Sequence, residues 1–181
     1  MTRSAILLMD LQHDFLGAPG GRMPVESDSV APIIDTANAI LGKAMLKDAL
    51  PVMVVNRFPE ADRIGNFFRR GAAVAGTQGA ELDARIRSTG PVKVIEKASA
   101  SAFTNPELDR YLRAESISDV YVMGVFAEGC VRATVLDARR RGYVVHVLAD
   151  AVASNASWKK RFGLWTMRRA GAHVLASSAV R

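Results

Sequence analysis

Three reactive side chains follow predicted strands: the carboxylate of Asp10, the amine of Lys97 and the chain's single thiol, Cys130. Each has an ordinary structural alternative, as a residue that ends a strand, a solvated lysine and a small buried hydrophobe respectively. Together they suit nucleophilic catalysis, because a carboxylate can take the thiol proton and a nearby ammonium favours the thiolate. The set predicts attack on an acyl carbon through a thioester.

Cys130 stands at the start of a predicted helix, where unpaired backbone N–H groups and the helix dipole favour a thiolate. We therefore expect a pKa below the value of about 8.5 for free cysteine. Small residues surround this turn at Gly124, Ala127 and Gly129. They allow backbone N–H groups to approach an oxyanion that develops on the substrate.

The elements that must position these side chains alternate along the chain. Short runs rich in Val, Ile and Leu predict strands buried on both faces of a parallel sheet. These runs lie at residues 5–9, 52–55, 92–95, 120–123, 143–148 and 172–175. Amphipathic stretches predict helices at residues 27–49, 80–87, 106–115, 130–141 and 157–170. The alternation predicts an α/β fold, a three-layer α/β/α sandwich with right-handed crossovers.

The sheet brings the reactive side chains to one edge. Ligands of open parallel sheets bind beside the carboxyl ends of the strands, and Asp10, Lys97 and the segment 124–130 all follow strands. The Gly-rich stretch 58–79 is predicted to form a long loop over one edge of the sheet. The sequence therefore predicts a functional site at the carboxyl edge.

Composition predicts one ordinary domain over residues 1–181. The chain is 49% apolar and 23% charged, and it is long enough to bury a sizeable core without staples. One cysteine excludes an internal disulfide, which favours a reducing cytoplasm. Because no apolar run reaches the length of a membrane span and no signal-peptide pattern is present, we expect no membrane partner.

The net charge of +6 permits anionic partners. The cations occur in short runs without interleaved aromatic residues or a nucleic-acid motif, which favours solvated helix faces, and we expect no nucleic-acid partner. Trp158 and Trp165 are seven residues apart, which is helical spacing. That spacing predicts packing in the core or against another subunit.

Four segments resemble the isochorismatase-like cysteine hydrolases. Residues 9–15, Met-Asp-Leu-Gln-His-Asp-Phe, are similar to the opening D-x-Q-x-D-F of that family. Residues 76–82 are similar to its G-T-x-G-A-E-L segment, and residues 97–103 to its lysine followed by S-A-F. Residues 124–131, Gly-Val-Phe-Ala-Glu-Gly-Cys-Val, resemble its nucleophile turn. The likeness runs in the same order over almost the whole chain.

The resemblance implies a six-stranded parallel sheet and a triad of Asp10, Lys97 and Cys130. It also implies a cis peptide between Val125 and Phe126, with the backbone N–H groups of Phe126 and Cys130 forming an oxyanion hole. By the same resemblance we expect a small-molecule substrate, no cofactor and a homo-oligomer, either a dimer or a tetramer.

Three features separate this chain from parts of the family. Ala127 replaces a usual threonine, which removes a hydroxyl expected near the pocket. Family members that hydrolyse nicotinamide bind a metal through an aspartate and two histidines, but residues 56–65 contain no histidine, so no metal site is expected. Members that act on isochorismate generally lack the cysteine, so Cys130 favours an amide-type substrate.

These observations favour hydrolysis of a carbonyl–nitrogen bond of amide, ureido or carbamoyl type. Hydrolysis of a chorismate-like ether remains an alternative, as does a non-catalytic member that binds a metabolite, for which Ala127 leaves room. Candidate substrate-binding residues are Phe15, Asn56 and Arg57. Arg57 is either a solvated side chain or an inward guanidinium that holds a substrate carboxylate.

Overall fold

Six parallel strands form one sheet in the order β3-β2-β1-β4-β5-β6. A computed structural model describes residues 3–17, 20–43 and 46–180. The prediction of a six-stranded parallel sheet is confirmed. The strands are β1 (Arg3–Met9), β2 (Leu50–Asn56), β3 (Lys93–Lys97), β4 (Ile117–Val125), β5 (Val144–Ala153) and β6 (His173–Leu175).

Helices cover both faces of the sheet. The covering helices are α1 (Val30–Leu41), α3 (Pro106–Ala114), α4 (Arg132–Arg140) and α5 (Ser157–Arg169), whereas α2 (Arg63–Phe68) buries none of its residues. Along β1, Ile6 and Leu8 pack in a core layer with α1, whereas Leu7 and Met9 pack in a second layer with α3, α4 and α5. Burial on both faces explains the unbroken apolar run of β1. None of the helices in the described ranges is long and apolar enough to cross a membrane.

Two predicted helices differ from the structure. The helix predicted at 27–49 ends at Leu41. The helix predicted at 80–87 is wrong, because only a three-residue 3₁₀ turn forms at Gln78–Ala80. Its backbone groups bond elsewhere: Asp83 Oδ1 accepts a hydrogen bond from Arg85 N, and Asn38 Oδ1 accepts one from Arg87 N. Such side-chain bonds compete with a helical ladder.

The stretch predicted as a loop at 58–79 contains the short helix α2. Asp62 caps its first turn, since Asp62 Oδ1 accepts a hydrogen bond from Gly65 N at 3.0 Å. An N-cap carboxylate satisfies an otherwise unpaired backbone donor. Sequence periodicity over six residues is too short to reveal such a helix.

The tryptophans of α5 are not in the core. Trp158 is 62% exposed and Trp165 is 54% exposed, while Gly163 and Met167 form the buried side of this helix. Helical spacing placed both rings on one face, but the sequence could not show that this face is the outer one. Packing in the core is therefore wrong for both rings, and packing against another subunit stays a prediction.

Two glycines allow the close approaches that shape the carboxyl edge. A Cβ on Gly124, whose φ is +112°, would lie 2.1 Å from Met9 O, so β4 closes on β1 only with glycine there. A Cβ on Gly163 would lie 2.6 Å from Ala127 O. Helix α5 therefore packs directly on the backbone of the turn Ala127–Val131.

We expect Gly163→Ala to lower the free energy of unfolding by about 1–3 kcal/mol, because a methyl group there must push α5 away from the turn. Urea denaturation measures the change. The matched control is Gly90→Ala, since a Cβ on Gly90 meets no atom within 4 Å. Equal stability of the two variants would contradict the packing argument.

Candidate active site

A buried ion pair joins the ends of β1 and β3. Lys97 Nζ lies 3.1 Å from Asp10 Oδ2, and the two residues are 4% and 1% exposed. Asp10 follows the last residue of β1 with a φ of +56°, and its N–H donates to Val54 O at 2.8 Å. This turn of the backbone places the carboxylate inside the edge of the sheet rather than in solvent.

Lys97 uses all three ammonium donors on protein acceptors. Besides Asp10, Nζ donates to Asn56 Oδ1 at 2.7 Å and to Ser99 O at 3.1 Å. Because a lysine has donors only, the oxygen of the Asn56 amide faces Lys97 and its nitrogen faces the other way. That nitrogen, Asn56 Nδ2, contacts Cys130 Sγ at 3.9 Å. Asp10, Asn56, Lys97 and Cys130 thus form one cluster.

Cys130 lies in a single π-helical turn at Ala127–Val131, and α4 begins only at Arg132. The helix predicted to start at Cys130 therefore starts two residues later. Gly129 interrupts the turn with φ of −103° and ψ of −107°. The peptide between Val125 and Phe126, immediately before this turn, is cis.

The thiol is neutral in the resting site. Burial and the adjacent Asp10 carboxylate raise the pKa of Cys130 to about 11, although Lys97 and the Asn56 amide act in the opposite direction. The expected low pKa is therefore wrong. The helix start alone suggested a thiolate, but it could not show that the turn buries the sulfur beside a carboxylate.

Burial and pairing also shift the pKa values of Asp10 and Lys97. Burial raises the pKa of Asp10, and Lys97 only partly opposes this effect. Burial alone would lower the pKa of Lys97, but the interactions with Asp10 and Cys130 outweigh it and the pKa of Lys97 is raised. A carboxylate with a raised pKa is a stronger base, and Asp10 Oδ1 has no hydrogen-bond partner within the described part of the chain.

Two phenylalanines stand beside the turn. Phe15 is 4% exposed in the core layer of α1, and its ring meets Phe126 edge-on at 5.5 Å between centroids. Phe126 is half-buried and precedes the π-helical turn. Phe15 thus supports the ring of Phe126 from the core side.

Arg57, a predicted substrate-binding residue, lies outside the cluster. Its Nη1 is 2.7 Å from Glu81 Oε1 and its Nε is 3.5 Å from Glu96 Oε1. Glu96 and Lys97 are neighbours in β3, so their side chains point to opposite faces of the sheet. The ion pair with Glu96 therefore holds the Arg57 guanidinium on the face of the sheet away from Lys97. Both glutamates pair with the guanidinium, so of the two alternatives for Arg57 the inward orientation is wrong.

Ala127, where the family usually has threonine, belongs to the core. It is fully buried in the layer that includes α4 and α5, beneath Gly163. A methyl group suits this apolar surrounding, since a hydroxyl without a partner would cost free energy there.

Gln12 has a role that is not predicted from the sequence. This side chain is fully buried, and its amide hydrogen-bonds to the backbone of Asn56 and to Ala80 O. Its position two residues after Asp10, in the motif of residues 9–15, was a visible signal, but sequence alone could not supply its partners.

Comparison with known proteins identifies a family and two amidases of similar structure. The family model described as "Isochorismatase domain" matches residues 4–179. The isochorismatase family protein YddQ of Bacillus subtilis is 30% identical over 151 residues, which cover 83% of this chain and 78% of that protein.

Two solved structures share the fold over nearly their whole length. Pyrazinamidase of Pyrococcus horikoshii in complex with zinc has a TM-score of 0.84 and 31% identity, covering 96% of this chain and 99% of that one. N-carbamoylsarcosine amidase of Thermoplasma acidophilum has a TM-score of 0.81 and 26% identity, covering 97% of each chain.

The zinc of the Pyrococcus relative prompts a test of the residues that follow β2. No group of three or more His, Cys, Asp or Glu side chains could hold a metal ion anywhere in ranges 3–17, 20–43 and 46–180. Three carboxylates near the end of β2 are paired with cations, Glu81 and Glu96 with Arg57 and Asp62 with Arg69. This donor set does not fit a zinc site.

The raised thiol pKa predicts an unusual alkylation profile. The rate of iodoacetamide addition to Cys130, the only cysteine, should keep rising with pH through pH 10, because the thiolate forms near pH 11. Asp10→Asn should shift the rise in alkylation rate to lower pH, because it removes the carboxylate charge that opposes the thiolate. Intact-mass spectrometry gives the rates.

Glu96→Gln is the matched control for this experiment, because it removes a carboxylate next to Lys97 in sequence but on the opposite face of the sheet. Its profile should follow that of the wild type. A wild-type rate that levels off below pH 9, or an Asp10→Asn profile identical to it, would contradict the described electrostatics.

Proposed function

Because the chain belongs to the isochorismatase family, we propose that it is a cysteine hydrolase that cleaves a carbonyl–nitrogen bond of a small metabolite. The bond is of amide, ureido or carbamoyl type, and the reaction passes through a thioester. The family is hydrolytic, and its relatives include a pyrazinamidase and an N-carbamoylsarcosine amidase.

One observation carries the proposal: a half-buried thiol adjoins a buried carboxylate and a buried ammonium at the carboxyl edge of the sheet. Lys97 holds Asp10 at 3.1 Å, and Asn56 spans Lys97 and Cys130 Sγ. Burial of two charges is costly unless they are paired and hydrogen-bonded. A cluster with a nucleophile at its end suits catalysis better than stability.

Acylation uses the basicity of Asp10. Asp10 takes the proton of Cys130 as Sγ bonds to the substrate carbonyl carbon, whose π electrons move to the oxygen. The backbone N–H groups of Phe126 and Cys130 are the proposed donors to this oxyanion. Asp10 then gives the proton to the substrate nitrogen, the carbon–nitrogen bond breaks and the amine or ammonia leaves.

Deacylation reverses these proton movements. Asp10 takes a proton from water as the water oxygen bonds to the thioester carbon, and the carbon–sulfur bond breaks. The proton returns to sulfur, which restores the thiol that the pKa of about 11 favours in the resting site. Lys97 retains its ammonium throughout, because the raised pKa of Lys97 opposes proton loss, and it balances the charge on Asp10.

A panel of primary amides, ureido acids and carbamoyl compounds tests the proposed reaction. We expect release of ammonia or amine from at least one class and an acyl-enzyme on Cys130 in intact-mass spectra. Cys130→Ala and Asp10→Asn should each lower kcat by about 10²–10⁴-fold or more, and the double variant should lose little more, because the two residues act as one unit.

The outcome also separates the rival functions. Turnover of a chorismate-like ether without amide hydrolysis would replace the proposal with ether hydrolysis. Binding of panel compounds without turnover or acyl-enzyme would indicate a non-catalytic member. Glu96→Gln again serves as the control, and it should retain wild-type activity.

Activity should survive removal of metal ions. Glu81 and Glu96 are paired with Arg57 and Asp62 with Arg69, and no step of the proposed reaction requires a Lewis acid. After exhaustive chelation and dialysis, we expect kcat/KM for the best substrate of the panel to be unchanged. Loss of activity that zinc restores would show that this expectation is wrong.

A further inference from the structure

The side chain of Gln12 makes three hydrogen bonds while fully buried. Nε2 donates to Asn56 O at 2.8 Å and to Ala80 O at 2.6 Å, and Oε1 accepts from Asn56 N at 2.8 Å. Both donors of the amide are therefore used, and the orientation of the amide is fixed by the carbonyls it faces. A buried amide with these partners holds the backbone of Asn56 and Ala80 in place more firmly than an exposed amide would.

Two of these hydrogen bonds take the place of the backbone pairing that β1 does not offer to Asn56. Strand β1 pairs with β2 only as far as Met9 and Val54, because the backbone turns away at Asp10. The edge of Asn56 that would face β1 then has no strand beside it. Gln12 fills this place, since its amide bonds both the N–H and the C=O of Asn56 as a neighbouring peptide would.

On its other side Asn56 is held by β3, where it pairs with Lys97. The backbone of Asn56 is thus clamped between Gln12 and β3. Its side chain is in turn set between two groups, with Oδ1 2.7 Å from Lys97 Nζ and Nδ2 3.9 Å from Cys130 Sγ. A shift of this backbone would move the amide away from the sulfur.

We propose that Gln12 is a positioning residue, which clamps the Asn56 backbone so that the Asn56 amide connects the Lys97 ammonium to the Cys130 sulfur. The inference deepens the proposed function, since it rests on Cys130 as the nucleophile. The test of this positioning role needs no substrate, so its result does not depend on which reaction the protein catalyses.

The contact between Asn56 Nδ2 and Cys130 Sγ favours the charged form of the sulfur. An N–H group aimed at sulfur stabilises the thiolate, and the Asn56 amide lowers the pKa of Cys130 against the larger effect of burial. Lys97 polarises the same amide through its oxygen, which strengthens the donor. Loss of the alignment should therefore leave less thiolate at a given pH.

The experiment compares iodoacetamide alkylation of Cys130 at pH 8 in a double-mutant cycle of Gln12→Met and Asn56→Ala. Each single variant should react about 3- to 10-fold more slowly than the wild type, the factor that corresponds to one hydrogen bond. In the Asn56→Ala background, Gln12→Met should cause no further slowing, because its effect passes through Asn56. A purely structural residue would not show this dependence.

Asn38→Ala provides the matched control. Asn38 also bridges two backbone groups with its amide, Arg85 O at 3.0 Å and Arg87 N at 2.8 Å, but away from the cluster. It should lower the melting temperature and leave alkylation unchanged. If Gln12→Met does not fold, Gln12→Leu takes its place in the cycle.

Two results would overturn the proposal: alkylation at the wild-type rate in the Gln12 variant, or equal slowing by that variant with and without Asn56. If the cycle behaves as expected and no panel compound is hydrolysed, the positioning role stands and only the proposed reaction fails.

Discussion

The buried ion pair between Asp10 and Lys97 is the interaction on which the carboxyl edge of this protein depends. Removing one member of a buried pair typically costs about 3–5 kcal/mol, because the other charge is left without compensation. Here the compensation extends further, since Asn56 Oδ1 and the carbonyl of Ser99 accept hydrogen bonds from the other two N–H groups of the Lys97 ammonium. Strands β1, β2 and β3 are thereby held in one arrangement at their ends.

The nucleophile is held by packing of backbone against backbone. Gly124 lets β4 close on Met9, and Gly163 lets α5 rest on the turn that carries Cys130. Neither approach leaves room for a side chain. The turn therefore has little freedom to move when substrate binds, and the position of the sulfur is set by the sheet on one side and by α5 on the other. Such preorganisation is what an oxyanion site requires.

Burial gives this site its protonation pattern. The same desolvation raises the pKa values of both the thiol and the carboxylate, so the resting state keeps the proton on sulfur and makes Asp10 a stronger base. A neutral thiol is also less prone to oxidation than a thiolate. In the proposed reaction, the proton moves only when a carbonyl carbon is present to accept the sulfur.

The fold class and the reactive side chains that meet at the carboxyl edge follow from the amino-acid pattern. Apolar runs buried on both faces predict parallel strands, and parallel strands bring Asp10, Lys97 and Cys130 to one edge. The surroundings of these side chains arise in the folded chain. Arg57 turns towards Glu81 and Glu96, the half-buried thiol lies beside a carboxylate, and Gln12 packs against Asn56. These features depend on side chains from distant segments meeting in space, which local periodicity does not encode.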